Sequence, residues 1–234
     1  MGASVTVRTF QEGVRAMQRT LALGLTVLVA CASCASYTPT SVPIPQAGAM
    51  PAWRTEGAVA VGADPYTQLE RQEAVFGGDL NKEGVIPIQV FLQNQGDRRL
   101  LVRPSDMVLV LPDGSQMNPA GATATAAKLE SSGGVIASTI AFGIVGYLVA
   151  GSAADKARAA RLEDYRRKEL QDTKLEKNAS IHGFVYFIPP PGTPAFTEST
   201  LVVRCVDSEE LTSLVVHLPL RGVEFKGTPA KAEQ

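Results

Sequence analysis

Apolar and polar positions alternate in short runs gathered into two separated stretches of the chain. In Ile86–Asn94 the residues Ile88, Val90 and Leu92 share one face, which predicts a half-buried strand. Pro87 places the opening of that run at a sheet edge or a strand start. Gly57-Ala-Val-Ala-Val-Gly62 predicts a first short strand. The turn Asn94-Gln95-Gly96-Asp97 leads to Leu100–Arg103 and Met107–Leu111, two further strands closed by Pro112-Asp113-Gly114. In the second stretch, Phe184, Tyr186 and Ile188 alternate with Gly183, Val185 and Phe187 between Ile181 and Pro189. Leu201–Cys205 and Leu214–Leu218 complete a set of about seven short strands. The pattern predicts a mainly β fold, a β-sandwich built from residues 56–119 and 179–222, with a polar, disordered tail over 223–234.

Residues 120–178 break this alternation and predict a helical, hairpin-like insert. Gly133–Ala154 holds no charged residue, and its 22 residues reach the length needed to cross a bilayer. Gly134 and Ser138, then Gly143, Gly146 and Ala150, recur at intervals that let helix backbones approach closely. Asp155–Lys177 is strongly charged, with Leu162, Tyr165 and Leu170 as a thin apolar stripe. Glu163, Asp164, Arg166, Arg167, Lys168 and Glu169 mix both signs and predict a solvated helix returning to the body. Three readings of Gly133–Ala154 stand open. It crosses a membrane once, which conflicts with one sandwich built from the strands on either side. It packs as an arm on the body or on the returning helix. Or it enters lipid as a hairpin or zips against copies of itself, as an apolar patch of this size needs cover.

The N-terminus carries a different signal. Residues 21–30 form an uncharged, mostly apolar run after Arg15 and Arg19, with the lengths and flanks of a signal peptide. The run ends in Leu28-Val29-Ala30-Cys31, which resembles the lipobox of bacterial lipoproteins. That resemblance implies cleavage before Cys31 and a diacylglycerol on its thiol, with Leu28, Val29 and Ala30 read by the signal peptidase. The expected partner is thus a membrane, held by acyl chains at roughly 0.8 kcal/mol per buried CH₂. Met17 opens a more compact leader than residue 1 does. Cys34 as the lipidated residue would put Cys31 at the branched apolar position, which fits badly. Ala32 is not the Asp that favours inner-membrane retention in enterobacterial lipoproteins, so the resemblance implies the outer membrane, facing the periplasm. Residues 31–55 include Pro39, Pro43, Pro45 and Pro51 among small polar residues and read as a flexible tether.

Other segments carry a family resemblance. Asp64-Pro65-Tyr66, Val75-Phe76-Gly77, Gly84-Val85-Ile86-Pro87-Ile88, Asn94-Gln95-Gly96-Asp97 and Gly183-Phe184-Val185-Tyr186-Phe187 look like a group of uncharacterised bacterial envelope lipoproteins. The strand and turn pattern resembles the immunoglobulin-like domains of secreted bacterial proteins. The small-residue spacing of the insert resembles glycine-zipper segments of envelope proteins. These resemblances imply a fold and bring no catalytic residues with them.

Composition narrows the chemistry. The formal charge is −1; residues 1–30 carry three arginines and one glutamate, so their removal leaves −3. That balance gives no footprint for nucleic acid. Cys31, Cys34 and Cys205 are the cysteines, and with Cys31 lipidated the other two are expected as free thiols, a Cys34–Cys205 disulfide in an oxidising compartment being the alternative. His182 and His217 sit in strand patterns and lack metal-ligand spacing with the cysteines. Glu209 and Glu210 fall in a turn, and Trp53 and Tyr66 read as core aromatics. Walker, dinucleotide and Gly-x-Ser-x-Gly fingerprints do not occur. The expectation is a non-catalytic envelope lipoprotein without cofactor or metal, whose partners are other envelope proteins or its own copies. The alternative is an oligomeric membrane-inserting or channel-forming protein built on Gly133–Ala154.

Overall fold

The computed structural model of the chain describes residues 41–45, 48–131, 156 and 158–227. Its strands in chain order are β1 (Ala52–Glu56), β2 (Val59–Pro65), β3 (Ile86–Asn94), β4 (Leu100–Val110), β5 (Gln116–Met117), β6 (Pro119–Ala120), β7 (Thr173–Leu175), β8 (Ser180–Phe187), β9 (Thr200–Asp207) and β10 (Ser213–Pro219). Helix α1 is Leu69–Phe76, α2 is Ala122–Ser131, and α3 covers residues 158–168. The first sheet has the order β1-β2-β3-β8-β6 and the second β10-β9-β4-β5, with β7 also paired to β4. All of these pairings are antiparallel.

The period-2 pattern explains the layering, because successive side chains leave opposite faces of a strand. Ile86, Ile88, Val90 and Leu92 of β3 point inward with Val185 and Phe187 of β8. They meet Met107 and Leu109 of β4, Leu201 and Val203 of β9, and Val216 and Leu218 of β10. Each such side chain contributes about 1.5–3 kcal/mol by leaving water. The alternate residues of β8, Phe184 and Tyr186, point outward into a second cluster with Tyr66, Val75, Phe76, Leu80, Val85, Ala122, Ala126, Leu129 and Tyr165. The first sheet is therefore covered on both faces, by the second sheet and by helices.

The sandwich is more finely divided than the pattern predicts. Ten strands are seen among the described residues where about seven are expected. Strand β1 lies inside the stretch read as tether; Arg54, Thr55 and Glu56 give it no apolar period, and pairing with β2 holds it. Leu100–Arg103 and Met107–Leu111 belong to one strand, β4, whose register against β9 slips between Val102 and Met107 at a bulge containing Pro104. Strand β7 and Leu175 lie within the stretch read as insert yet belong to the sandwich. Phe225, in the stretch read as tail, is buried, and its backbone pairs with that of Phe196 at 2.9 and 3.1 Å. The stretch 69–76, read as neither helix nor strand, forms α1, and Gly77 closes it at φ 70° with its N–H donating to the Glu73 carbonyl.

Strands from before the insert are hydrogen-bonded to strands from after it, β3 to β8 and β4 to β9. This overturns the single-crossing reading of Gly133–Ala154, which would separate those partners by a bilayer. Among the described residues no helix is long and apolar enough to cross a membrane. Gly134, Ser138, Gly143, Gly146 and Ala150 lie outside the described residues, as do Met17, Leu28, Val29, Ala30, Cys31 and Cys34.

Candidate functional site

Helices α2 and α3 form an antiparallel pair on the outer face of the first sheet, with contacts between them at both ends. At one end the Ala122 N–H donates to Glu169 Oε1 at 3.0 Å, so a carboxylate from beyond α3 caps the start of α2. Burial raises the Glu169 carboxyl above its ordinary range against that hydrogen bond. One turn along, Arg166 Nη2 donates to Thr123 Oγ1 at 3.3 Å. At the far end Arg158 Nε and Glu130 Oε1 form an ion pair at 2.8 Å. Glu130 and Arg158, on either side of residues 132–157, thus stand together at one end of the helix pair.

The inner face of α3 differs from the expected solvated helix. Asp164, Tyr165 and Lys168 are buried, with Glu163, Arg166 and Arg167 outward. Lys168 pairs with Asp164 and also donates to the carbonyl of Val75 near the end of α1. The ammonium thereby ties α1 to α3 where the last carbonyls of α1 need donors. Burial lowers the Lys168 pKa, and Asp164 opposes that shift. The sequence signal was present: an acid and a base at i and i+4 flank the inward Tyr165.

Around this pair the aromatic rings meet edge to face. Phe76 and Phe184 lie 4.8 Å apart between centroids, and Tyr66 and Phe184 4.9 Å. Burial pushes the Tyr165 phenol up to about 12. Gly183 leaves room for the chain after α3; a Cβ there would lie 2.6 Å from Leu170 Cα. The Leu170 N–H accordingly donates to the Phe184 carbonyl at 2.9 Å.

The stretch read as tether is partly docked on the same face. Gln89 Nε2 donates to the Pro43 carbonyl at 2.8 Å, and the Tyr66 hydroxyl donates to Gln89 Oε1 at 3.1 Å. Val42 packs against the outer aromatic cluster. Arg71 stacks 3.9 Å from the Tyr66 ring centre while donating to Asp64 Oδ1 at 3.0 Å. Met50 is buried, and Trp53 lies against Phe91. Tyr66 is thus the core aromatic expected of it.

Clefts interrupt the described surface, and three are of note. One of about 360 Å³ lies where Pro104 and Ser105 of the β4 bulge face Gly121, Glu169 and Gln171. Another of about 480 Å³ separates the β4–β5 turn from Pro190–Thr197. The third, about 290 Å³, lies between β1 and β10 and is flanked by Trp53, Arg54 and Arg221. His182 and His217 are exposed. Cys205 is a buried free thiol pushed up to about 12 by burial. Glu209 and Glu210 are exposed in a turn whose backbone N–H groups donate to Asp207. Among the described residues no group of His, Cys, Asp and Glu is arranged to hold a metal ion.

No family model and no curated protein matches the chain. It is similar to three solved bacterial structures at low identity. The ycdA protein of Bacillus subtilis, a candidate lipoprotein by its name, is 11% identical with a TM-score of 0.37 over 72% of this chain. The chain spans 38% of the length of ycdA. The yjhA protein of Bacillus subtilis is 10% identical with a TM-score of 0.37, covering 71% of this chain and 96% of that one. The candidate ApaA protein of Bordetella pertussis is 15% identical with a TM-score of 0.32, covering 78% and 99%.

Proposed function

We propose that this chain is a non-catalytic lipoprotein of the bacterial envelope, anchored by diacylglycerol on Cys31 and facing the periplasm from the outer membrane. The observation that carries the reading is Leu28-Val29-Ala30-Cys31 at the end of an uncharged run preceded by Arg15 and Arg19. A thiol there is the nucleophile that a lipid transfer needs, and the small residue before it opens the bond to cleavage. The body then serves as a protein-interaction module. What supports that role is the outer face of the second sheet. Val108, Val202, Val206 and Val215 lie there partly exposed.

The test is metabolic labelling with an alkyne fatty acid followed by intact-mass analysis of the purified chain. Label should be present in the wild type and absent from Cys31→Ser, and the mature mass should begin at residue 31. A chain retaining residues 17–30 with a free thiol at position 31 overturns the reading.

One observation favours a second role beside the first. Glu130 and Arg158 form an ion pair on either side of an uncharged 22-residue stretch of sequence, so both ends of that stretch meet the body together. The role is insertion of that stretch into lipid from one side, since a single crossing would part the two ends. Leakage from vesicles that disappears in Ile140→Asp with Ile144→Asp would instead support the channel-forming alternative.

A further inference from the structure

We infer that the α2–α3 face of the body lies against a phospholipid surface, while the outer face of the second sheet points away from it. The inference rests on lipidation of Cys31 and adds an orientation that lipidation alone does not set. Three observations converge on this face.

The first is the length of the leash. Val42 packs on the outer aromatic cluster and Pro43 is held by Gln89, which pairs in register with Phe184 of β8. From position 31 to Val42 is only eleven residues, where residues 32–55 seemed available. Eleven residues span at most about 36–40 Å when fully extended. The leash joins the body on the side that carries the helices, so a short leash keeps that side nearest the bilayer.

The second is the insert root. The Glu130–Arg158 pair stands at the far end of the helix pair, and the uncharged stretch of sequence lies between these two residues. The chain before Val42 and the two ends of that stretch thus meet the body on one layer.

The third is charge. The outward face of α3 presents Arg166 and Arg167, the latter paired with Glu163 at 3.2 Å, with Lys156 exposed in the same helical stretch, against Asp172 past the helix end. The mature chain as a whole is −3, so this cationic excess is local. Anionic headgroups attract such side chains, and each cation raises surface binding about five-fold.

The experiment uses the lipidated mature chain in vesicles of phosphatidylethanolamine and phosphatidylglycerol with a nitroxide quencher on the headgroup. Cys34→Ser removes a competing thiol, and the buried Cys205 does not react in the folded chain. A fluorescent maleimide is placed at Arg167→Cys on α3 or at Arg204→Cys, exposed on the outer face of β9. Quenching at 167 and its loss at 204 is the expected result. Equal quenching at both, or stronger quenching at 204, overturns the inference while leaving the fatty-acid label on Cys31 intact. A second measurement removes the anchor with Cys31→Ala and reads partition of the otherwise full mature chain onto the same vesicles. Replacing Lys156, Arg166 and Arg167 by Gln should weaken partition by about five-fold per cation. Failure to partition, or partition unchanged by these substitutions and by high salt, also overturns it.

Discussion

The two sheets share one core yet treat their outer faces in opposite ways. The first sheet turns Phe184 and Tyr186 outward, and helices from three places in the chain bury them. The second sheet turns Val108, Val202, Val206 and Val215 outward beside Arg204 and His217, and these remain partly exposed. Large aromatic surface must be covered, and covering it here required a buried ion pair and a docked stretch of tether. Branched aliphatic residues suit a pleated, half-buried surface and need no cover for the strand to form. The covered face is therefore where the fold is most vulnerable to substitution. The open face is where substitution should spare the fold and reveal a partner.

The sharpest way to break this contrast is at Lys168. Lys168→Met takes the ammonium away from the buried Asp164 carboxylate and removes the donor to Val75. A loss of about 3–5 kcal/mol in denaturant unfolding is expected. Replacing both partners, Asp164→Leu with Lys168→Met, should recover most of that loss. If the single variant unfolds like the wild type, the helical layer is not part of the cooperative unit.

Next in size is Gly183. A side chain there meets the Leu170 backbone at 2.6 and 2.7 Å, and backbone cannot swing aside as a flexible side chain would. Gly183→Val should cost about 1–3 kcal/mol and loosen the seat of α3 on β8. Protection of the Leu170 amide from hydrogen exchange, donated to Phe184, reports that seat directly.

On the open face the expected effect is far smaller. Val202→Lys adds a charge to a partly exposed position of β9 and should change stability by about 1 kcal/mol or less. It should nonetheless weaken any association made through this face, read by crosslinking in intact cells. A loss comparable to that of Lys168→Met would mean that the face is covered by parts of the chain outside residues 41–45, 48–131, 156 and 158–227.

These contrasts were unequally legible in the sequence. The alternation of Gly183–Phe187 placed both faces of β8 correctly, because a strand buried on one side and capped by helices on the other still keeps its period of two. Strand β4 was read as two strands, since the bulge at Arg103–Asp106 interrupts the period without ending the strand. Asp164 and Lys168 were counted with the solvated charges. A helical wheel places them beside Tyr165, but only tertiary packing decides that the wheel is turned inward there. The docking of Val42 and Pro43 was invisible for a related reason. Its glue is a backbone carbonyl accepting from Gln89, and backbone acceptors leave no mark in a pattern of residue types.

The smallest expected effect concerns the cap between the helices. Burial is the largest influence on Glu169 and raises its carboxyl in the folded chain. Below the carboxyl's ordinary pKa both folded and unfolded chains hold the proton, and its burial carries no ionic penalty. As pH rises past that value the unfolded chain ionises first, so this group's contribution to stability falls until pH exceeds the raised folded value. Glu169→Gln keeps an oxygen to accept from Ala122 N and removes the ionisation. Thermal midpoints of variant and wild type should therefore coincide in acid, and the variant should stand slightly higher at neutral pH. The carboxylate's attraction to the start of α2, about 0.3–1 kcal/mol, works against this and keeps the difference small. A variant that is less stable at neutral pH would show that charge at the helix start outweighs burial, and that the cap fastens the helical layer as an ion rather than as a hydrogen-bond acceptor.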